Sequence, residues 1–160
     1  IQIVKGSVVM IIRRIHREET PPFSLLLLAD PSQEKVKEHL EKGVCFVAEE
    51  DKKIIGAYIL EEKNEKSIEL VNIAVKEHLH GKGIGKKLIQ HVLQSTKEQG
   101  YEIIEVGTGN SSINQLAFYQ KCGFRMTGIE RNFFLENYKE PLFENGIRCQ
   151  DMVRLTFFLQ

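Results

Sequence analysis

The chain has 160 residues, of which 42% are hydrophobic and 28% charged. This size and composition are typical of one ordinary globular domain and exclude a disordered or fibrous chain. Lysines and arginines number 22, as do aspartates and glutamates, so the formal net charge is zero. A chain without net charge has no overall electrostatic field that would attract nucleic acid or an anionic membrane, so neither is an expected partner. From the size and composition, we predict a single domain over residues 1–160.

The spacing of the cysteines and the length of the apolar runs indicate whether the protein is secreted, membrane-bound or cytoplasmic. Cys45, Cys122 and Cys149 are widely spaced and lack the patterns of a disulfide framework or a zinc site. Reduced thiols and no bound metal are therefore expected. The apolar runs at residues 8–12 and 25–29 are far shorter than the roughly 20 residues of a membrane span, and no signal-peptide pattern opens the sequence. These features predict a soluble, cytoplasmic protein.

The first part of the chain predicts a strand followed by two helices. Isoleucine and valine are frequent in residues 1–15, which indicates a strand. Pro21 and Pro22 suit the first turn of a helix. Asp30 as N-cap then predicts a second helix over residues 31–42, which a glycine ends.

Three strands are predicted next. The β-rich runs at residues 44–49 and 54–60 flank a polar turn and predict an antiparallel hairpin. A second polar turn leads to a strand over residues 67–75. Its alternation places one set of side chains on one face (Ile68, Leu70 and Asn72) and another set on the opposite face (Glu69, Val71 and Ile73).

The second half begins with the clearest helix of the chain. Apolar residues recur at helical spacing over residues 83–99, and Gly100 suits the position that ends a helix. Shorter elements follow, namely a strand over 101–106, a helix over 113–122, and strands over 123–130 and 152–159. Residues 132–149 show only weak periodicity. The order of elements predicts an α+β fold, with helices flanking one mixed, mostly antiparallel sheet.

A glycine-rich turn joins the strand at residues 67–75 to the long helix. Gly81, Gly83 and Gly85 let the backbone approach a ligand closely, and the helix N-terminus presents free N–H groups and a positive dipole. Lys82 and Lys86 add cationic groups. This arrangement suits a pyrophosphate, although a plain turn has the same local pattern.

Spacing excludes two other phosphate-binding loops. The nucleoside-triphosphate loop requires a first glycine where this chain has His80, and a hydroxyl residue where it has Lys87. The dinucleotide fingerprint has its third glycine one residue further along and opens a βαβ unit, whereas this turn follows consecutive hairpins.

The sequence resembles the GNAT superfamily of acyl-coenzyme A N-acyltransferases. Its motif, Gln/Arg-x-x-Gly-x-Gly/Ala, is matched by residues 80–85, with His80 in place of Gln or Arg. A second signature, a helix with Tyr just before Gly-Phe, is matched by Tyr119 and residues 123–124, with Ser112 and Gln115 where the common form has Asn and Ala. The resemblance covers residues 44–124 and implies the GNAT fold and an acetyl-coenzyme A cosubstrate.

The resemblance also implies which residues bind the cosubstrate. Main-chain amides of the loop would hold the pyrophosphate, and the end of the preceding strand would pair with the pantetheine arm. The implied cosubstrate-binding residues are Ile73, Ala74, Val75, His80, Gly81, Lys82, Gly83, Ile84, Gly85, Lys86, Ser112, Gln115 and Tyr119.

Amine acylation by a thioester needs a base, an oxyanion donor and a proton for the thiolate. By resemblance, Tyr119 is the candidate proton donor, and Glu69 the candidate base, directly or through water. The main-chain N–H of Ile73 is the candidate oxyanion donor. The alternatives are a packing tyrosine and a solvated surface glutamate, with Glu61 and Glu62 as weaker candidate bases.

The remaining candidates concern the acceptor. Asn72 is a candidate substrate-orienting residue. Residues 131–149 interleave aromatic and acidic side chains, so Phe134 and Tyr138 are candidates for binding a cationic amine, or else belong to a surface loop or dimer contact. His78 and His80 are interpreted as ordinary loop histidines, and Cys122 is not an expected nucleophile, because direct transfer needs no acyl-enzyme.

The sequence thus predicts an N-acetyltransferase that transfers acetyl directly to a primary amine of a small molecule or peptide. Two alternatives remain open, namely a non-catalytic acyl-coenzyme A sensor on the same fold and transfer of a longer acyl chain. Members of the superfamily often dimerise, so a homodimer is one expected state.

Overall fold

A computed structural model describes residues 9–160. They divide into two compact units, the first containing residues up to 59 together with 72–88, and the second containing 60–71 together with 89–160. The first strand is predicted over residues 1–15, and residues 1–8 of it lie outside the described residues. Within its described remainder, Ile11–Arg14 form a strand.

The described part of the chain contains both strands and helices. The strands are β1 (Ile11–Arg14), β2 (Val44–Glu50), β3 (Lys53–Glu62), β4 (Ser67–Val75), β5 (Ile103–Gly109), β6 (Arg125–Glu130), β7 (Phe143–Glu144), β8 (Ile147–Arg148) and β9 (Met152–Phe158). The helices are α1 (Phe23–Ala29), α2 (Gln33–Lys42), α3 (Ile84–Glu98), α4 (Ile113–Lys121) and α5 (Phe133–Asn137), with a 3-10 turn at Glu77–Leu79. Seven strands form a mixed sheet in the order β1-β2-β3-β4-β5-β9-β6. The predicted α+β class is confirmed.

The first unit shows why α2 begins later than predicted. The predicted N-cap, Asp30, is wrong, because its Oδ1 accepts the main-chain N–H of Ser32 at 3.0 Å. Ser32 is the N-cap instead, and its Oγ accepts the N–H of Lys35 at 3.3 Å. The helix ends where predicted, at Lys42 before Gly43. The prolines 21 and 22 precede α1, which begins at Phe23.

The hairpin prediction for β2 and β3 is confirmed, with a tight turn between them. Asp51 and Lys52 have φ angles of 50° and 62°, as the central residues of a type I′ turn require. The core of this unit includes the buried side chains of Leu26, Val36, Val47, Tyr58, Ala74 and Leu88.

The second unit contains both parallel and antiparallel strand pairs. β4 pairs with β5 in parallel, joining Ser67 to Ile103 and Leu70 to Val106 at the two ends of the ladder. β9 pairs antiparallel with β5 and with β6. The core of the second unit includes the buried side chains of Leu70, Val92, Ile104, Val106, Phe124 and Leu155. This register determines which polar side chains of β4, β5, β6 and β9 lie side by side.

The long segment before β9 is ordered rather than irregular. It contains α5 and the hairpin β7–β8, whose turn residues Asn145 and Gly146 have φ angles of 55° and 72°. Asn145 donates from Nδ2 to the Ser111 carbonyl at 2.8 Å, and Asn110 donates from Nδ2 to the Arg148 carbonyl at 3.1 Å. The hairpin is therefore tied to the loop that precedes α4.

Residues 9–160 were compared with the features of a membrane-spanning helix and of a metal site. None of the helices described there is long and apolar enough to cross a bilayer. Within the same residues, no group of His, Cys, Asp or Glu side chains has the arrangement of a metal site.

Candidate active site

The glycine-rich loop leads from β4 into α3 in the first unit. Gly81 and Gly83 have φ angles of 79° and 80°, in the left-handed region that residues with a side chain rarely adopt. A Cβ atom built on either glycine meets nothing within 4 Å. The loop therefore presents bare main chain beside open space at the start of a 15-residue helix, whose N–H groups and dipole favour an anion.

The side chains around this loop are either buried and apolar or exposed and cationic. Ala74 and Ile84 are buried, whereas Lys82 and Lys86 are exposed. Gly85 lies in the first turn of α3. The predicted loop residues thus combine buried apolar side chains with exposed cations, and the cations favour an anionic group such as a diphosphate.

His80 closes the turn that enters the loop. Its Nε2 lies 2.8 Å from the main-chain oxygen of Val75. Because a carbonyl oxygen only accepts hydrogen bonds, Nε2 carries the proton and donates it. The imidazole therefore links the end of β4 to the loop, which gives this departure from the superfamily motif a structural role.

A cavity of about 330 Å³ lies within the second unit. Polar and charged side chains dominate its lining, which consists of Lys63, Glu69, Glu105, Thr127, Glu130, Arg154, Leu155 and Thr156. Glu69 therefore faces a cavity, as a candidate base must. The half-buried and buried residues of β4 alternate as predicted, with Glu69, Val71 and Ile73 on the half-buried face.

Glu69 is held by two cations. Its Oε1 accepts a hydrogen bond from Nη1 of Arg154 at 2.7 Å, and its Oε2 lies 3.7 Å from Nζ of Lys63. Only 13% of its side chain is exposed. The carboxylate is thus nearly removed from solvent and has a defined orientation.

Arg154 joins two of the carboxylates in the cavity. Its Nε donates to Oε1 of Glu130 at 2.7 Å, in addition to the contact with Glu69. Burial opposes the charge of the guanidinium, but Glu130 and Glu69 outweigh that effect and raise the pKa of Arg154 above its ordinary value. The arginine is therefore permanently charged.

Several cavity residues were not identified from the sequence. Glu105 stands opposite Glu69 in the parallel ladder of β4 and β5, and Thr156 stands opposite Glu105 in the ladder of β5 and β9. Thr127 lies at a register shift in β6, and its Oγ1 is 2.8 Å from Oγ1 of Thr156. These pairings depend on strand register, for which the sequence carried no signal beyond alternation.

Tyr119 is buried in the second unit. Its ring contacts Phe118 and Phe124, with centroids 5.5 Å and 5.7 Å apart. Burial, with a smaller contribution from Cys122, raises the pKa of Tyr119 above its ordinary value. The hydroxyl therefore keeps its proton at neutral pH, as a proton donor must.

We expect Tyr119 to titrate later than an ordinary tyrosine, whose pKa is about 10. The folded protein keeps a proton that the unfolded chain loses, so this contribution to stability is complete below about pH 10 and is lost as the pH rises through the folded-state pKa. Alkaline spectrophotometric titration and denaturant unfolding of the wild type and Tyr119→Phe will measure both effects. The variant should lack a late-titrating component, and its stability should fall less steeply at alkaline pH. If Tyr119→Phe instead lacks a tyrosine that titrates near pH 10, the expectation is contradicted.

The other predicted residues of α4 and its N-cap have different environments. Ser112 is buried, and its Oγ donates to Oε1 of Glu144 at 2.9 Å. Gln115 is exposed. Ser112 thus anchors the β7–β8 hairpin in this structure, and its cosubstrate contact stays a prediction.

The predicted acceptor residues occupy separate places in the two units. Asn72 is on the buried face of β4, where its Nδ2 donates to the Leu26 carbonyl at 3.1 Å and its Oδ1 has no hydrogen-bond partner in residues 9–160. Its side chain is therefore on the opposite face of the strand from Glu69. In the second unit, Phe134 and Tyr138 pack together on one side of α5, with ring centroids 5.3 Å apart. The acceptor roles of all three stay predictions.

Similarity to known proteins identifies the family. The model of the acetyltransferase (GNAT) family matches residues 11–124. The chain belongs to this family. This GNAT protein is 52% identical over 133 residues to the uncharacterized N-acetyltransferase YvbK of Bacillus subtilis (strain 168), with 83% of the chain and 86% of the relative covered.

Solved structures agree with this assignment. A GNAT family acetyltransferase from Elizabethkingia anophelis, with acetyl-coenzyme A bound, is 43% identical, has a TM-score of 0.92, and is matched over 94% of this chain and 98% of its own. A Bacillus subtilis acetyltransferase in complex with coenzyme A is 47% identical, has a TM-score of 0.89, and is matched over 95% of this chain and 100% of its own. The predicted superfamily, fold and N-acetyltransferase class of this GNAT protein are confirmed.

Proposed function

We propose that this GNAT protein transfers the acetyl group of acetyl-coenzyme A directly to a primary amine of a small molecule or peptide. The observation that carries the proposal is the loop with left-handed Gly81 and Gly83 at the start of α3. Bare main chain beside open space suits the pyrophosphate of coenzyme A. The two relatives that hold acetyl-coenzyme A or coenzyme A support the same donor.

The proposed transfer is a direct attack followed by loss of the thiol. The amine nitrogen attacks the thioester carbonyl carbon, and Glu69 takes the proton that the nitrogen loses. The main-chain N–H of Ile73 donates to the carbonyl oxygen as negative charge develops there. The carbon–sulfur bond then breaks, and the thiolate takes a proton from Tyr119.

The charges of the cavity in the second unit favour a polar amine acceptor. Three of its lining residues are glutamates, whereas two are cationic. The Glu69 carboxylate lines this cavity, so an amine that enters the cavity meets the proposed proton acceptor there. Phe134 and Tyr138 supply an aromatic pair that suits a cationic acceptor.

The acceptor class is tested with four primary amines and acetyl-coenzyme A. The probes are spermidine, kanamycin, a peptide with a free N-terminus, and an N-terminally blocked peptide with one lysine. Mass spectrometry detects the acetylated product, and a thiol reagent measures release of coenzyme A. Transfer to at least one probe supports the proposal. Coenzyme A binding without any acetylated product contradicts it and favours the sensor alternative.

Substitution of Gly81 by alanine is expected to weaken coenzyme A binding about tenfold. The left-handed conformation costs a residue with a Cβ atom about 1–2 kcal/mol, which corresponds to roughly a tenfold change in an equilibrium constant. The loop relieves that strain by leaving the conformation that aims its N–H groups at the pyrophosphate. Isothermal titration calorimetry with coenzyme A measures the effect.

Gly146→Ala is the matched control for this substitution. Gly146 also has a left-handed φ, 72°, with nothing within 4 Å of a built Cβ atom. It lies in the β7–β8 turn, so its substitution should lower stability similarly and leave coenzyme A affinity unchanged. Equal loss of affinity in both variants would show a general effect of strain rather than a binding loop.

A cytoplasmic location, a homodimeric state and a single domain over residues 1–160 stay predictions. Size-exclusion chromatography with light scattering tests the second of them.

A further inference from the structure

The side chain of Arg154 crosses a strand to reach Glu69. Arg154 is on β9, where its register partner on the neighbouring strand β5 is Gly107. Glu69 is on β4, on the far side of β5 in the sheet order. The 2.7 Å contact between Nη1 and Oε1 therefore requires the guanidinium to pass over the β5 backbone.

Gly107 makes that path possible. A Cβ atom built on Gly107 would lie 3.0 Å from Nη1 of Arg154 and 2.5 Å from Sδ of Met152. Both distances are shorter than ordinary van der Waals contact. A side chain at position 107 would therefore force Sδ of Met152 to move and would press on the guanidinium, and the atoms that must move belong to the ends of flexible side chains.

Glu130 holds the other side of the same guanidinium. Its contact with Nε and the Glu69 contact with Nη1 are both 2.7 Å long. Because the guanidinium is planar and rigid, two contacts in different directions fix its orientation. Arg154 is half-buried, with 27% of its side chain exposed, so solvent weakens the two contacts less than it would on a fully exposed surface.

The contact with Arg154 leaves the second oxygen of Glu69 for chemistry. Oε1 accepts the hydrogen bond from Arg154, whereas Oε2 is 3.7 Å from Nζ of Lys63, beyond hydrogen-bond distance. The lining of the cavity includes Glu69. Fixing one oxygen of a carboxylate also fixes the direction in which the other oxygen points.

We infer that Arg154 is a positioning residue for Glu69, and that Gly107 is required for it to act. The guanidinium holds Oε1, so that Oε2 is the atom that takes the proton from the attacking amine. This inference rests on the proposed role of Glu69 as the base. It adds two residues, on β5 and β9, to the set that the transfer depends on.

A double-mutant cycle between Arg154 and Glu69 tests the inference. Arg154→Gln should lower kcat by about a hundredfold, the loss that follows from misplacing a reacting group by about 1 Å. The KM for acetyl-coenzyme A should not change. In the Glu69→Gln background, the same substitution should cause less than about a twofold further loss, because residues that act through one another are not additive. All four proteins are assayed with the probe amine that the wild type acetylates most efficiently.

Gly107→Ala and Arg154→Lys separate positioning from folding. Gly107→Ala should lower kcat without removing any charge, since the added methyl group shifts the guanidinium together with the Met152 side chain. Arg154→Lys should restore part of the kcat lost in Arg154→Gln, because an ammonium keeps the charge but cannot hold both glutamates in the same plane. Arg125→Gln, on the exposed strand β6, removes a guanidinium elsewhere in the sheet and should leave kcat unchanged.

The outcomes distinguish this inference from the proposed function. No acetylation of any probe by the wild type rejects the proposed function and this inference together. Full activity of Glu69→Gln leaves acetyl transfer standing, but it rejects the role of Glu69 as the base and this inference with it. Impaired Glu69→Gln with normal Arg154→Gln rejects only the role of Arg154. Equal losses from Arg154→Gln in both backgrounds show an independent structural role and also overturn the inference.

Discussion

Replacement of Glu69 by glutamine is expected to lower kcat by about 10²- to 10⁴-fold at neutral pH, the usual contribution of a positioned general base. Glutamine keeps the size of the side chain and can still accept a hydrogen bond from Arg154, but it cannot take the amine proton. The KM for acetyl-coenzyme A should change little. Steady-state kinetics with the probe amine and variable acetyl-coenzyme A will measure both parameters.

The pH dependence of this loss gives a sharper test. A primary amine with an ordinary pKa near 10 becomes neutral by itself as the pH rises, so the advantage of a base decreases. The ratio of wild-type to Glu69→Gln activity should therefore shrink between neutral and alkaline pH. A constant ratio would indicate that Glu69 contributes to structure rather than to proton removal.

Glu102→Gln is the matched control for this variant. Glu102 is on the surface of the same unit, with 61% of its side chain exposed and Nζ of Lys66 at 3.9 Å. An exposed ion pair of this kind contributes little to stability. Its substitution removes one carboxylate and should leave kcat unchanged.

Replacement of Tyr119 by phenylalanine is expected to lower kcat by about 10- to 100-fold, the lower part of the range for acid catalysis. The loss is smaller than for Glu69 because a thiolate, with a thiol pKa near 8.5, is only a modest base. Stability at neutral pH should be nearly unchanged, since the ring contacts with Phe118 and Phe124 remain. Release of coenzyme A and formation of acetylated amine should fall together.

Tyr101→Phe is the control for removal of a tyrosine hydroxyl. The Tyr101 hydroxyl is exposed and donates to Oε1 of Glu62 at 3.0 Å. Loss of that surface hydrogen bond should not alter kcat. Unchanged kcat in Tyr119→Phe as well would remove Tyr119 from the mechanism and leave it as a core residue.

Local sequence signals predicted most of the regular structure. The apolar spacing of residues 83–99 corresponds to α3, Ile84–Glu98, and Gly100 follows it with a φ of 91°. The N–H of Tyr101 returns to the Thr96 carbonyl at 3.2 Å, as in a glycine-ended helix. Such features depend on residues a few positions apart, so periodicity and capping chemistry are sufficient to predict them.

The sequence misplaced one helix cap and did not identify one hairpin, because the local signals there were ambiguous or short. Asp30 and Ser32 are both good N-caps, and the choice between them depends on the turn that Asp30 forms with the Ser32 N–H. The Asn145–Gly146 pair is a strong hairpin signal, but its flanking strands, Phe143–Glu144 and Ile147–Arg148, are too short to show alternation.

The sequence by itself determined the family motif, the glycine loop and the face of β4 that carries Glu69. Only the tertiary structure showed that Arg154 passes over Gly107 to hold that carboxylate, and that Glu105 stands beside it. The physical reason is that alternation assigns a side chain to a face, whereas its neighbours across the sheet depend on strand order and register. Glu69 and Arg154 are far apart in the chain, and long-range pairing of the strands brings them together.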